Sequence, residues 1–268
     1  MLALTSVALA CAGTPIQGRN LLHEAVFLQN YLPAAWWARE HGWSLAVEEH
    51  FYLLLPPALL LLVRWAWFRR APVRWAAAIV GCLAALTLGR RLLMVLRGAD
   101  AVPVLFATHF RLDALAFGVL LSVVWHYAPG RVQLFRRLRS LLMPAGLLLT
   151  VPCYFLDVEH PFVITLGLTL NYLGYGMVLA AALTMPRLLP SPLARPLAWI
   201  GFYSYSIYLW HLPWLAVCRA SGFEEAGRAL VYYAGSITIG VVLAKLVELP
   251  ALRLRERWLP AEPDRVTA

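Results

Sequence analysis

Residues 43–56 read WSLAVEEHFYLLLP, and the fold turns on how the adjacent glutamates, Glu48 and Glu49, are read. They stand at the entrance to an apolar run that continues to Val63. A helix needs about 20 such residues to cross the hydrocarbon of a bilayer. A carboxylate at mid-bilayer costs about 2.5–3.5 kcal/mol, so this pair belongs either at the interface or against protein. Gly42 interrupts what precedes, and Ser44 is suited to cap the helix by accepting hydrogen bonds from the free N–H groups of its first turn. Glu48 and Glu49 then fall near that turn, where the helix dipole favours negative charge by about 0.3–1 kcal/mol. This reading explains both as structure alone. Yet neighbours on a helix point about 100° apart, so the two cannot share one environment. At least one is expected to face protein or a cavity, with His50 and Tyr52 beside it.

The rest of the chain supports a membrane setting. Of 268 residues, 61% are hydrophobic and 14% charged, against roughly a quarter charged in soluble domains. Mean hydropathy is +0.68. Seven windows of spanning length are predicted, approximately 46–68, 75–97, 109–127, 141–157, 162–184, 198–217 and 229–249, with residues 1–12 as a partial N-terminal piece. The fold class expected is all-α, a polytopic transmembrane bundle. Lysine and arginine total 23, with Lys245 the one lysine, and the formal net charge is +9. The arginines cluster between apolar runs, which argues for membrane topology and anionic headgroups rather than nucleic acid. With residue 13 outside, 14 basic residues fall on inner segments and 5 on outer ones. By the positive-inside rule the C-terminus is then cytoplasmic and the WSLAVEEHFY helix starts from the outer face. Cys11, Cys82, Cys153 and Cys218 lie far apart in or beside apolar segments and read as small buried hydrophobes. No metal site is expected. The opening MLALTSVALACAGT imitates a secretory signal but lacks a basic start; the end of a membrane helix is the preferred reading.

Two further stretches place polar groups inside windows. In HFRLDALAFG (109–118), His109 and Asp113 are four apart and are expected to share a helix face, with Arg111 opposite. Intramembrane charges are functional candidates by default, although an interfacial ion pair would serve equally. In GFYSYSIYLWHLP (201–213), Ser204, Tyr208 and His211 recur at helical spacing with Tyr205 alongside. Lipid cannot satisfy hydroxyls, so this stripe is expected to face other helices, as hydrogen-bonding glue or as a site. Arg90 and Arg91 are expected to snorkel to headgroups, and Lys245 to pair with Glu248. Asn171 reads as a packing contact.

Taken in order, FLQNYLP with WSLAVEEHFYLLLP, then FRLDALAFGVLL, GFYSYSIYLWHLP and KLVELPALRLRER, the chain resembles the membrane-bound acyltransferase-3 family, O-acyltransferases of bacterial surface polysaccharides. The motifs pace out the chain from about residue 20 to 257, and the resemblance implies one membrane domain over 1–257, leaving 258–268 as a cytoplasmic tail. It implies an inner-membrane, multi-pass enzyme that moves an acyl group, acetyl above all, from acyl-CoA to a hydroxyl of a cell-surface glycan or lipid-linked sugar. Acetyl-CoA is then a co-substrate, no cofactor is bound, and no nucleic acid is involved. Members carry a first-helix histidine, held to be catalytic, on helices without a counterpart here. The resemblance therefore also admits a catalytically incomplete remnant acting as scaffold or partner; a transporter of acyl or lipid-linked sugar is the other alternative. Glu48, Glu49, Arg111 and Asp113 inherit the catalytic assignment. Trp43, Ser44, His50, Tyr52, His109, Ser204, Tyr205, Tyr208 and His211 are assigned to substrate binding.

Overall fold

The computed structural model describes residues 18–31, 37–185, 190–220 and 225–258, and every regular element among them is helical. The partial helix expected at 1–12 lies outside the described residues. The chain divides into two compact units, residues 1–188 and 189–268.

The first unit contains α1 (Gly18–Ala25), α2 (Trp37–Arg64), α3 (Ala66–Arg70), α4 (Pro72–Leu96), α5 (Val102–Phe106), α6 (Leu112–Tyr127), α7 (Pro129–Thr150), α8 (Pro152–Phe155) and α9 (Leu168–Thr184). Proline opens α4, α7 and α8, where its missing N–H costs nothing. Arg69 closes the end of α2 by donating to the carbonyls of Val63 at 2.6 Å and Arg64 at 2.9 Å, two acceptors the helix itself leaves open. Gly98 ends α4 with φ +61; its N–H donates to Val95 and that of Ala99 to Met94, a closure that wants the left-handed conformation glycine adopts freely.

Helices α7 and α9 meet at bare backbone. A Cβ on Gly146 would collide with the Gly174 carbonyl, and one on Gly174 with the Gly146 carbonyl. Small residues allow this approach, and dispersion between close backbones replaces the hydrophobic drive that lipid removes. One π-helical turn, Val163–Gly167, leads into α9. The span Val163–Thr184 is the most enclosed, 39% buried in its apolar window, whereas Gly42–Arg64 is 11% buried. Helix α9 is therefore the axis of this unit, and α2 turns half of its leucines outward. At one end of the unit Val104, Leu105, Ala107, Phe110 and Ile164 form a small core.

The second unit contains α10 (Ser191–Phe202), α11 (Ser204–Ala220), α12 (Glu225–Leu243) and α13 (Leu249–Trp258). A π-helical turn, Ala244–Glu248, joins the last two into one span, Gly227–Trp258. Tyr203, Val241 and Ala244 form its core.

Among the described residues five helices are long and apolar enough to cross a membrane, so the predicted all-α polytopic bundle stands while several windows change. Helix α2 begins at Trp37, not near residue 46, so Ser44 is inside the helix rather than its cap. The 141–157 window belongs to a helix that starts at Pro129, and Arg131, Arg136, Arg137 and Arg139, expected in a loop, occupy its first turns. The 109–127 window shortens to the 16 residues of α6. The 198–217 window is broken at Tyr203. The Lys245–Glu248 pairing gives way to a bond in which the Ser206 hydroxyl donates to Glu248, because the π turn changes the three-residue register. Among the described residues Cys82, Cys153 and Cys218 are free thiols, although Cys82 is exposed rather than buried; Cys11 lies outside them.

Candidate functional site

The polar groups of the first unit gather at the end where α4 finishes and α6 begins. Helix α1 delivers the first of them. It closes through the N–H groups of Phe27 and Leu28, which donate to Glu24 and His23, with Phe27 at φ 59. That left-handed step, unusual for a bulky residue, turns the chain into the 3₁₀ turn Gln29–Tyr31. Gln29 and Asn30 are each 2% exposed. Gln29 Nε2 donates to the Gly42 carbonyl at 3.1 Å, and a Cβ on Gly42 would stand 3.0 Å from that nitrogen. Glycine inside α2 thus makes room for the docking turn.

Asn30 fixes the next contacts. Its Nδ2 lies 3.2 Å from the Phe106 carbonyl and 2.8 Å from Thr108 Oγ1. A carbonyl only accepts, so the atom facing Phe106 is the amide nitrogen and Thr108 accepts from it. The Thr108 proton is then free to be donated to His50 Nδ1, 2.7 Å away. This arrangement leaves Nε2 of His50 as the protonated nitrogen of the neutral ring, aimed away from Thr108. Tyr31 stands between two imidazoles, with ring centroids 6.4 Å from His50 and 5.9 Å from His109, and its hydroxyl 3.3 Å from His109 Nδ1.

Thr108 and His109 sit on a second 3₁₀ turn, Thr108–Phe110, and Arg91 holds that turn from below. Its Nε donates to the Phe110 carbonyl at 3.0 Å and Nη2 donates to the same oxygen. Nη2 also meets Asp113 Oδ1 at 2.7 Å, and Nη1 reaches Thr169 Oγ1 at 3.3 Å. Arg91 and Asp113 are 1% and 0% exposed. The ion pair therefore ties α4, the turn, α6 and α9 together at one point. A planar fork with several fixed donors suits such a junction, and lysine would not.

These contacts revise the sequence reading. His109 and Asp113 do not share a helix face, because the 3₁₀ turn ends at Phe110 and α6 starts at Leu112; Asp113 pairs with Arg91 and His109 faces Tyr31. Arg91 does not snorkel. Arg90 does stay exposed, its guanidinium 5.8 Å from the Phe110 ring centre. Arg111 lies 5.1 Å from the ring centre of Trp43, and Trp43 in turn packs edge-on against Phe106 at 5.5 Å. Glu48 is half-buried while its neighbour Glu49 is exposed, the split that helical geometry requires. Tyr52 is 55% exposed, on the outer side of α2. Ser44 is half-buried. Near the docking turn Glu24 is 8% exposed, and burial raises its carboxyl above the ordinary value.

In the second unit the expected stripe does not face inward. Ser204, Tyr205 and Tyr208 are exposed and His211 is half-buried, whereas the buried hydroxyl is that of Ser206. His211 Nδ1 lies against the Tyr208 carbonyl, so that nitrogen carries the proton and Nε2 is left as an acceptor. Asn30, Tyr31, Thr108 and Arg91 are the residues that sequence reasoning passed over. Arg91 had a signal: an ionisable residue within a window calls for an interior partner, and Asp113 was available. Thr108 and Asn30 had none beyond membership of short motifs.

The fold and this cluster define a polytopic α-helical membrane protein with imidazole, hydroxyl and guanidinium groups gathered at one end of a bundle. The family model described as an acyltransferase domain, acyltransferase 3, matches residues 3–245, and the chain belongs to that family. It is 28% identical over 218 residues to the peptidoglycan O-acetyltransferase OatA of Listeria monocytogenes, covering 78% of this chain and 34% of that protein. It is 27% identical over 211 residues to the putative peptidoglycan O-acetyltransferase YrhL of Bacillus subtilis, covering 76% and 32%. Against the O-acetyltransferase OatA of Staphylococcus aureus identity is 24% over 213 residues, covering 77% and 34%. The chain thus spans about a third of the length of these relatives. No solved structure matches it.

Proposed function

We propose that the chain is the membrane part of an O-acetyltransferase that moves an acetyl group from acetyl-CoA to a hydroxyl of a cell-wall glycan. Family membership supports the reaction class, and the names of the relatives support the acetyl group and the glycan. The observation that carries the reading within this chain is the Asn30–Thr108–His50 relay, which fixes one imidazole nitrogen and leaves the other for chemistry. Acyl transfer needs a base for the acceptor hydroxyl and stabilisation of the tetrahedral oxyanion. In this reading His50 exchanges its Nε2 proton for one on Nδ1 through water, and Nδ1–H then donates to Thr108 Oγ1. The acceptor oxygen attacks the thioester carbonyl as its proton passes to the freed Nε2; the carbon–sulfur bond then breaks, and the imidazolium returns that proton to the coenzyme A thiolate. Glu48 orients the acceptor, with Glu49 at the exposed rim. Arg111 holds the developing negative charge, braced on the Trp43 ring. Asp113, through Arg91, keeps the Thr108 turn in place. Trp43, Ser44 and His109 line the acceptor side. The arginine asymmetry of the sequence supports a cytoplasmic C-terminus in the plasma membrane, with the cluster toward the outer face.

The test is transfer of labelled acetyl from acetyl-CoA to peptidoglycan fragments by the protein in liposomes. The His50→Gln and Arg111→Gln variants are each expected to lose about a hundredfold in rate while folding normally. Undiminished transfer in either would remove that residue from the site.

A further inference from the structure

The second unit carries a separate groove at the loop end of the α11–α12 hairpin. Its volume is about 430 Å³, and it is lined by Leu215, Arg219, Arg228, Ala229, Tyr232 and Tyr233. The lining is layered by helical geometry. Arg219 lies in the last turn of α11 and Leu215 four residues earlier; Arg228 lies in the first turn of α12 and Tyr232 four residues later. Residues four apart share a face and differ by about 6 Å along the axis. The two helices are antiparallel, so both guanidiniums form the upper layer, with phenol and apolar side chains one turn deeper.

The base of this groove is built. Trp214 Nε1 donates to the Val231 carbonyl at 3.1 Å across the hairpin, and a Cβ on Gly235 would overlap the same indole nitrogen. This clamp fixes the spacing of the helices just below the groove. Among the described residues neither arginine has a carboxylate partner. Arg228 is half-buried and Arg219 exposed. A half-buried guanidinium at the mouth of a helix long enough to span a membrane is stabilised where an anion meets it.

We propose that this groove binds the phosphate headgroup of an anionic lipid. Two guanidinium forks match phosphate oxygens. The Tyr232 and Tyr233 hydroxyls stand at the depth of the glycerol and ester oxygens, and tyrosine favours that boundary. Leu215 and Ala229 offer an apolar wall to the first methylenes of the chain. The groove is distinct from the His50 cluster and independent of the acyl-transfer reading.

The experiment uses the full chain, delipidated in detergent and titrated by native mass spectrometry with phosphatidylglycerol and, separately, phosphatidylcholine. A preference for phosphatidylglycerol of roughly five-fold is expected, and Arg219→Gln/Arg228→Gln should bring it to roughly parity. Arg136→Gln/Arg137→Gln, which removes the same charge from exposed positions on α7, should leave the preference intact. The Tyr232→Phe/Tyr233→Phe double variant keeps the rings and should lose about two-fold, giving a second reading where the arginine variant fails to fold. Three results overturn the proposal. One is retained preference in the Arg219/Arg228 variant, or in the tyrosine variant where that one fails to fold. Another is an equal loss in the α7 control, which would mean attraction by net charge. The third is full displacement of the lipid by millimolar inorganic phosphate, which would mean that the groove reads a free anion.

Discussion

Two carboxylate regions of the first unit bear the same charge and do opposite things. At the α4–α6 junction Asp113 is 0% exposed and engaged by Arg91. On α2, Glu48 is half-buried and Glu49 exposed. A buried charge persists only where a partner and hydrogen bonds replace water, and Arg91 supplies both while also holding the Phe110 carbonyl. The junction is therefore scaffold: it fixes the turn that carries Thr108 and His109. The α2 pair keeps contact with the outside and so remains able to meet a substrate. In the proposed reading, depth of burial separates the carboxylate that holds the fold from the pair assigned to the site.

The comparison breaks first at the junction. Asp113→Asn leaves Arg91 buried without its counter-charge and is expected to cost about 3–5 kcal/mol in detergent unfolding. Replacing both partners with apolar residues of similar size, Arg91→Met with Asp113→Leu, should recover most of that loss. An unchanged midpoint for Asp113→Asn would mean that the pair does not hold the fold. A smaller effect is expected one step outward. Thr108→Val keeps the shape but strands the Asn30 amide and frees His50 Nδ1, costing about 1–3 kcal/mol in stability, with a larger relative loss of acetyl transfer than the stability change explains. Smaller again is Glu49→Gln at the exposed rim, expected within about 0.5 kcal/mol of the parent. Glu24 sharpens the contrast through pH. Burial raises its carboxyl above 4.5, so its favourable contribution is present below that value and is lost as pH rises through the folded value. Glu24→Gln is expected to stabilise the protein at pH 7 and to make no difference below pH 4.5, measured by unfolding at both.

Much of the fold was legible because bilayers impose length and apolarity on every crossing segment. The α4 and α9 spans were read closely from runs of Leu, Ala and Val. Helix starts were less legible. Gly42 reads as a breaker, yet it sits inside α2, where its missing side chain admits Gln29 from a turn 13 residues away. No local pattern encodes that contact. The candidate site was legible in its parts and not in its partners. Asp113 stood out as an intramembrane charge, but the choice between His109, four residues on the same segment, and Arg91, 22 residues away, depended on where α6 begins. The stripe from Ser204 to His211 failed for a related reason: periodicity tells which residues share a face, not which face is turned inward, and in α11 that face carries Ser206.

The most direct test sets Asp113→Asn beside Glu48→Gln and measures unfolding and acetyl transfer on both. Crossed outcomes are expected: Asp113→Asn loses stability, whereas Glu48→Gln keeps its unfolding midpoint and loses at least about tenfold in transfer, or 1.4 kcal/mol in the barrier. Equal destabilisation by the two substitutions, or full transfer by Glu48→Gln, would contradict the division between scaffold and site.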